Sequence, residues 1–338
     1  MFRANRLLGA IAALLTAAPM TAGADVTLTV STWVPPTHAM TTTQAWWCGE
    51  VAKATANRVK CNILPKPVAA PPATFDAVRD GLADVSFGVH GYTPGRFVLS
   101  QMVELPFGGA NGEINSVAYQ HVFDKHLAKL NEHKGVKVLA VFTHGAGDIF
   151  NTKRPVLSVA DLQGLKFRVG GGIVNEIGKA LGATVILKPA PESYELLSTG
   201  VMDGVFFPAE SIESFKLEKI VKHATTFPGG LYNTSFAFVM NEDTWRRIPK
   251  ADQDIITRLT GEPLARAFGQ AWDRTDKSAL TLMQSTGVKM TPAPKAFMDE
   301  IRAKTAPLEQ KWIADAKAKG LANAEQVLKE FRAEAVKP

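Results

Sequence analysis

Cysteine is scarce in this chain: two residues, Cys48 and Cys61, in 338. That excludes a disulfide-stapled mini-scaffold and a cysteine-rich zinc module. Runs of like charge are missing too. The formal net charge is +6, but it is spread along the chain with no Lys/Arg-rich block, so no nucleic-acid partner is expected. Beyond the N-terminal segment, no apolar stretch reaches the length of about 18 residues that a membrane-spanning helix needs. Enzyme signatures are also lacking. There is no G-x-x-x-x-G-K-[ST], no G-x-S-x-G, no H-E-x-x-H and no G-x-G-x-x-G after a strand. His121, His126 and His133 are not at the i, i+4 spacing that puts two metal ligands on one helical face, and solvated helix histidines are the expectation. Neither enzymatic activity nor a cofactor or metal is expected.

What is present suits a packed protein. Hydrophobic residues make up 46% and charged residues 21%, enough for a core and against disorder. The length fits two ordinary domains or one large one. Residues 1–24 read as a secretory signal peptide. Arg3 and Arg6 form the positive region, Leu7 to Ala18 the apolar region, and Ala22-Gly23-Ala24 a small-x-small cleavage site before Asp25. The expected location is the periplasm, with cleavage near Ala24. In that oxidising compartment Cys48, late in a predicted helix, and Cys61, at the start of the next strand, are candidates for a disulfide. Two buried free thiols are the alternative.

Strands and helices alternate along the rest. Val26, Leu28 and Val30 alternate with polar residues, and Trp33 to His38 is a proline-containing loop at that strand's end. Strands are also expected at 59–64, 84–90, 136–143, 166–169, 184–187 and 201–207, with helices between them, including a long one from Asn115 to His133. The fold class is α/β with mostly parallel strands. Ligands in such sheets sit at the carboxyl ends of strands. That directs attention to the loop after His90, the turn after Arg168 and the segment after Phe207. From Lys250 to about Ser285 the pattern predicts one helix, roughly 50 Å long and bent at Pro263, able to bridge two lobes.

Arg168 is the sharpest candidate. It sits in the apolar strand Leu165-Lys166-Phe167-Arg168-Val169, on the same face as Lys166, and Gly170-Gly171-Gly172 follows. Glycines let another group approach the backbone, and a planar guanidinium grips a carboxylate with two parallel hydrogen bonds. Gly170 therefore joins the candidate site, and the triplet opens a helix whose N-terminus suits an anion. In Phe206-Phe207-Pro208 one ring must face each side of the sheet, so one is free to wall a pocket.

Taken together, these residues resemble the solute-binding proteins of TRAP transporters, the tripartite ATP-independent periplasmic systems. The resemblance rests on the Trp33 to His38 loop, on Asp80-Gly81-Leu82-Ala83-Asp84-Val85 and on Glu104-Leu105-Pro106-Phe107. It continues through Asn151-Thr152-Lys153-Arg154-Pro155-Val156, the segment Asp161 to Val169, and Thr199-Gly200-Val201-Met202-Asp203-Gly204. It implies a two-lobe periplasmic binding protein fold with a long helix spanning both lobes. Residues 25–145 plus 234–273 would form lobe I, and 146–233 plus 274–338 lobe II. Arg168 would clamp the carboxylate of an organic acid, and Trp33, Val89, His90 and Tyr92 would line the cleft. The partners implied are that acid and the integral membrane permease subunits, with the binding protein a monomer.

Two departures narrow the ligand. Gly147 stands where many members carry a second arginine, and Phe207 where many carry asparagine. Ala190 sits where several members place a bulky aromatic, which leaves extra room. Losing a cation and an amide while gaining a ring favours an organic monocarboxylate, aromatic or a 2-oxo or 2-hydroxy acid. The rival readings are a binding protein of an ABC importer or sensor kinase, and an exported enzyme.

Overall fold

The computed structural model describes residues 25–109 and 111–336; the expected signal peptide lies outside the described residues. The first half runs β1 (Val26–Val30), α1 (Ala39–Ala54), β2 (Val59–Ile63), α2 (Thr74–Arg79), β3 (Val85–Val89), α3 (Gly112–Val122), β4 (Val136–Thr143), β5 (Gly147–Asn151) and β6 (Lys166–Val169). Then come α4 (Ile173–Ala180), β7 (Thr184–Leu187), α5 (Ser193–Ser198), β8 (Gly204–Pro208), α6 (Ala209–Ser214), β9 (His223–Thr226) and β10 (Ser235–Asn241). The chain ends with α7 (Glu242–Arg247), α8 (Lys250–Arg258), α9 (Glu262–Ser285), β11 (Lys289–Pro292), α10 (Lys295–Ala318) and α11 (Ala324–Ala335).

Two sheets result, ordered β2-β1-β3-β10-β4 and β11-β9-β5-β8-β6-β7. Most neighbours are parallel, but β10 runs antiparallel to β3 and β4, and β5 antiparallel to β8 and β9. These two strands follow the first two of three crossings between sheets: β4 leads into β5 after three residues, and β9 leads back into β10. The period-two pattern of β1 is realised, with Leu28 and Val30 fully buried. The central strands β3 and β8 are buried along their whole length, as strands covered on both faces must be.

The long helix differs from expectation. The helical run breaks between Arg258 and Glu262, where Gly261 takes φ +64 and donates its N–H to the Leu139 carbonyl. Pro263 therefore sits in the first turn of α9, where its missing N–H costs nothing, rather than at a bend. The 24 residues of α9 extend about 36 Å. They pack on α1, α3 and β4 of the first lobe and on α6 of the second. The helix expected to reach His133 leaves α geometry after Val122 for a π turn and a 3-10 turn, ending at Asn131 with φ 54. That ending lets His133 turn into the core. The C-terminal residues also depart from the expected division. Helix α10 packs on α4, but α11 lies on α3 of the first lobe, where His121 meets Glu334 and both Lys125 and His126 meet Glu330.

Cys48 and Cys61 are bonded, tying α1 to β2. No helix among the described residues is long and apolar enough to cross a membrane.

Candidate functional site

The carboxyl ends of β1, β3, β6 and β8 converge on one cavity between the lobes, about 480 Å3 of space between atoms counted out to its mouth. Arg168, third of the four residues of β6, reaches it from the second lobe. Lys166, expected on the same face, is exposed while Arg168 is 2% exposed. The cleft covers only the strand's carboxyl end.

The guanidinium is held from behind. Its Nε donates to the Lys188 carbonyl at 2.8 Å, and Nη2 donates to the Tyr92 hydroxyl at 3.1 Å. It stacks over the Phe207 ring, 4.4 Å from the centroid. Among the described residues no carboxylate pairs with it. A buried cation with no anion is costly. Two of its five N–H groups are used, and the remaining three are free to face the cavity.

Phe206 and Phe207 divide as strand alternation requires. Phe206 packs into the core against Phe167, with centroids 5.2 Å apart, whereas Phe207 faces the cavity and stacks on Phe215. Trp33 and Val89 line the opposite wall, with Trp33 4.8 Å from Phe87. Tyr92 and Gly170 also line it. A side chain at Gly170 would begin 3.7 Å from Arg168 Nη2. The site thus gathers Arg168, Phe207, Trp33, Val89, Tyr92 and Gly170.

His90 is the exception and corrects the expectation. It opens the 3-10 turn that directly follows Val89 at the end of β3, and its ring turns away from the cavity that Val89 faces. Its Nδ1 meets Ser235 Oγ at 3.0 Å and its Nε2 meets His133 Nε2 at 2.7 Å, both inside the first lobe. Burial holds the His90 and His133 rings well below the usual histidine range, with His133 at about 3.

The glycine triplet also has an assigned partner. The helix N-terminus after Gly172 is filled from within, because Ile173 N–H donates to the Glu104 carboxylate at 2.9 Å. A Cβ on Gly171 would fall 2.2 Å from the Gly91 carbonyl oxygen. Gly91 and Gly171 mark one place where backbones of the two lobes touch.

Sequence reasoning missed Tyr232, Trp272, His38 and His144. All four line the cavity, and they come from loops and from α9, where periodicity carries no signal. Tyr232 explains Gly147: a Cβ there would lie 2.4 Å from the Tyr232 ring. The Tyr232 hydroxyl has no hydrogen-bond partner among the described residues, and burial pushes it above the usual tyrosine range. His38 accepts from Met40 N–H through Nδ1, so its Nε2 carries the proton, 3.4 Å from Glu210. Burial holds it neutral, at about 3. Burial likewise raises Glu210 to about 7. His144 accepts from Thr234 N–H and, at about 4, is also neutral. The walls are therefore aromatic and uncharged around a single cation.

Two α/β lobes joined by crossing strands and enclosing such a cavity define a solute-binding protein of the two-lobe type. The chain belongs to the family described as bacterial extracellular solute-binding protein, family 7, whose model matches residues 30–315. Within it the chain is a TRAP-type solute-binding protein. A TRAP periplasmic solute-binding protein from Bordetella bronchiseptica, with bound (R)- and (S)-mandelate, is 48% identical with a TM-score of 0.89, over 92% of this chain and 98% of that one. A TRAP solute-binding protein from a marine metagenome, specific for aromatic acid ligands and bound to 3-hydroxybenzoate, is 32% identical with a TM-score of 0.86, again over 92% and 98%. Among curated proteins, the outer membrane transporter protein TsaT of Comamonas testosteroni is 30% identical over 96% of both chains. The family and these neighbours are solute-binding proteins rather than enzymes. TRAP solute-binding proteins are periplasmic, bind small organic acids and work with membrane components.

Proposed function

We propose that this protein captures an aromatic monocarboxylate in the periplasm and hands it to the membrane subunits of a TRAP-type secondary transporter. Arg168 carries the reading: a buried guanidinium with no anionic partner among the described residues, backed by a carbonyl and a phenol, at the end of an aromatic cavity. The carboxylate meets its free N–H groups, and the ring lies among Trp33, Phe207 and Trp272. A single cation supports one carboxylate, and the Tyr232 ring in front of Gly147 leaves no space for a second arginine there. The acids named for the two structural neighbours, mandelate and 3-hydroxybenzoate, each have one carboxylate and one ring. Export follows from the leader before Asp25, and the protein acts as a monomer. It performs no chemistry on its ligand.

Isothermal titration with mandelate, 3-hydroxybenzoate and succinate tests this. Mandelate or 3-hydroxybenzoate binds and succinate does not. Arg168→Ala weakens the aromatic acid at least about tenfold, since a charge-assisted hydrogen bond contributes about 1.5–3 kcal/mol, while the ligand-free variant stays folded. Undiminished binding by Arg168→Ala removes the clamp, and preferential binding of succinate removes the monocarboxylate assignment.

A further inference from the structure

Tyr92 belongs to the first lobe, in the turn that follows β3. Both groups that bond its hydroxyl belong to the second. Arg168 Nη2–H donates to it at 3.1 Å and Ala190 N–H donates to it at 2.8 Å. A guanidinium and a backbone amide are donors only, so the phenol oxygen accepts twice. Its own hydrogen is then left over, and no acceptor for it exists among the described residues. The residue is 5% exposed and lines the cavity beside Arg168 and Gly170. A phenolic hydrogen in so dry a position needs an acceptor, and the one that the free face of Arg168 calls for is a carboxylate.

We infer that Tyr92 couples occupancy to closure: its hydroxyl takes hydrogen bonds from Arg168 and Ala190 across the lobe boundary and donates its own hydrogen to the carboxylate oxygen beside Arg168 Nη2. This deepens the carboxylate reading above and rests on it. The ligand supplies the acceptor that completes the hydroxyl, and the completed hydroxyl holds the second lobe. Neither half is fully satisfied without the other. An open protein lacks the Arg168 and Ala190 bonds, and a closed, empty one leaves the phenolic hydrogen buried and unpaired. Ring packing is a separate matter, because the Tyr92 ring lies 5.9 Å from Trp33 whether or not it carries a hydroxyl.

The test is Tyr92→Phe, which keeps the ring. Two quantities are read with (R)-mandelate: affinity by titration, and the fall in radius of gyration on saturation by small-angle X-ray scattering. Affinity falls about ten- to a hundredfold, as expected for one bond to a charged group, and the compaction at saturation is smaller than in the wild type. Wild-type affinity together with wild-type compaction overturns the inference. Should the variant fail to fold, the wild-type protein carries the test by itself. The chain has four tyrosines, so tyrosine labelled with 13C at Cζ gives a short spectrum, and Tyr232→Phe removes the other cavity signal. Donation to an anion moves the Tyr92 Cζ resonance downfield when mandelate is added; a resonance that stays in place sinks the proposal. If the wild type binds no aromatic monocarboxylate at all, the parent reading has failed. If it binds and Tyr92→Phe behaves identically, only the role of Tyr92 has failed.

Discussion

The segment His90-Gly91-Tyr92 separates two buried polar regions of opposite character. On the His90 side the donors and acceptors form a closed series. Ser235 Oγ donates to Glu104 at 2.6 Å, so it accepts from His90 Nδ1–H, and His90 Nε2 accepts from His133 Nε2–H. Glu104 completes the series by accepting Ile173 N–H from the second lobe. On the Tyr92 side the accounting stays open. Three N–H groups of Arg168, the hydrogen of Tyr92 and the hydroxyl of Tyr232 have no partner among the described residues, and neither have the indole N–H groups of Trp33 and Trp272. A closed series holds a fold together. An open one that gathers several such groups around a buried cation on one cavity marks where a solute belongs. Two residues apart, the same short turn serves both ends.

The largest effect is expected at the residue between them. A Cβ on Gly91 would fall 2.8 Å from the Gly171 carbonyl carbon, and that obstacle belongs to the other lobe. Gly91→Ala thus opposes closure without disturbing either lobe's own core. Overpacking of this kind costs about 1–3 kcal/mol, so mandelate affinity drops roughly ten- to a hundredfold while the ligand-free melting temperature changes little. Equal affinity in titration would show that the lobes meet less closely when the solute is bound. A large fall in melting temperature without ligand would show that Gly91 belongs to the closed, structural side of the comparison.

Much of this arrangement was legible in the sequence, and the pattern of what was not is instructive. Alternation and turn residues placed the strands, and strand ends pointed to Arg168 and Phe207, because period and polarity are local properties. Resemblance brought His90 into the candidate site; its bonds to Ser235 and His133 take it out. The helix N-terminus after Gly172 was recognised as an anion site, but its occupant, Glu104, lies 69 residues away. Tyr232 filling the space before Gly147, and α11 returning to α3, are contacts between distant segments. No local pattern encodes such contacts, whereas Cys48 and Cys61, only 13 residues apart, were within reach of local reasoning.

The smallest effect sharpens the closed side, and it is one of stability rather than binding. His133 is buried among Phe75, Phe97 and Phe123, so His133→Phe suits the surroundings but leaves His90 Nε2 without its donor. An unpaired buried acceptor costs about 1–3 kcal/mol, and phenyl burial offsets part of that. Urea unfolding at pH 7 should show a net loss of about 1 kcal/mol, with mandelate affinity unchanged. The pH dependence separates this from a generic packing defect. Burial lowers both rings, with His133 at about 3 and His90 well below its usual value. Above about pH 7.5 both are neutral folded or unfolded, so they add no pH slope. As pH falls below that, the unfolded chain takes up protons that the folded chain refuses, and stability declines by up to about 1.4 kcal/mol per pH unit for each histidine. Removing His133 removes one of those slopes. The variant therefore starts less stable at pH 7 and loses less on acidification, so the two stability curves converge as pH falls and meet at about pH 6. Parallel curves would mean that His133 takes up a proton in the folded protein as readily as in the unfolded chain and that the series running from it to Glu104 is not closed. A fall in mandelate affinity would place His90 back among the residues that serve the solute.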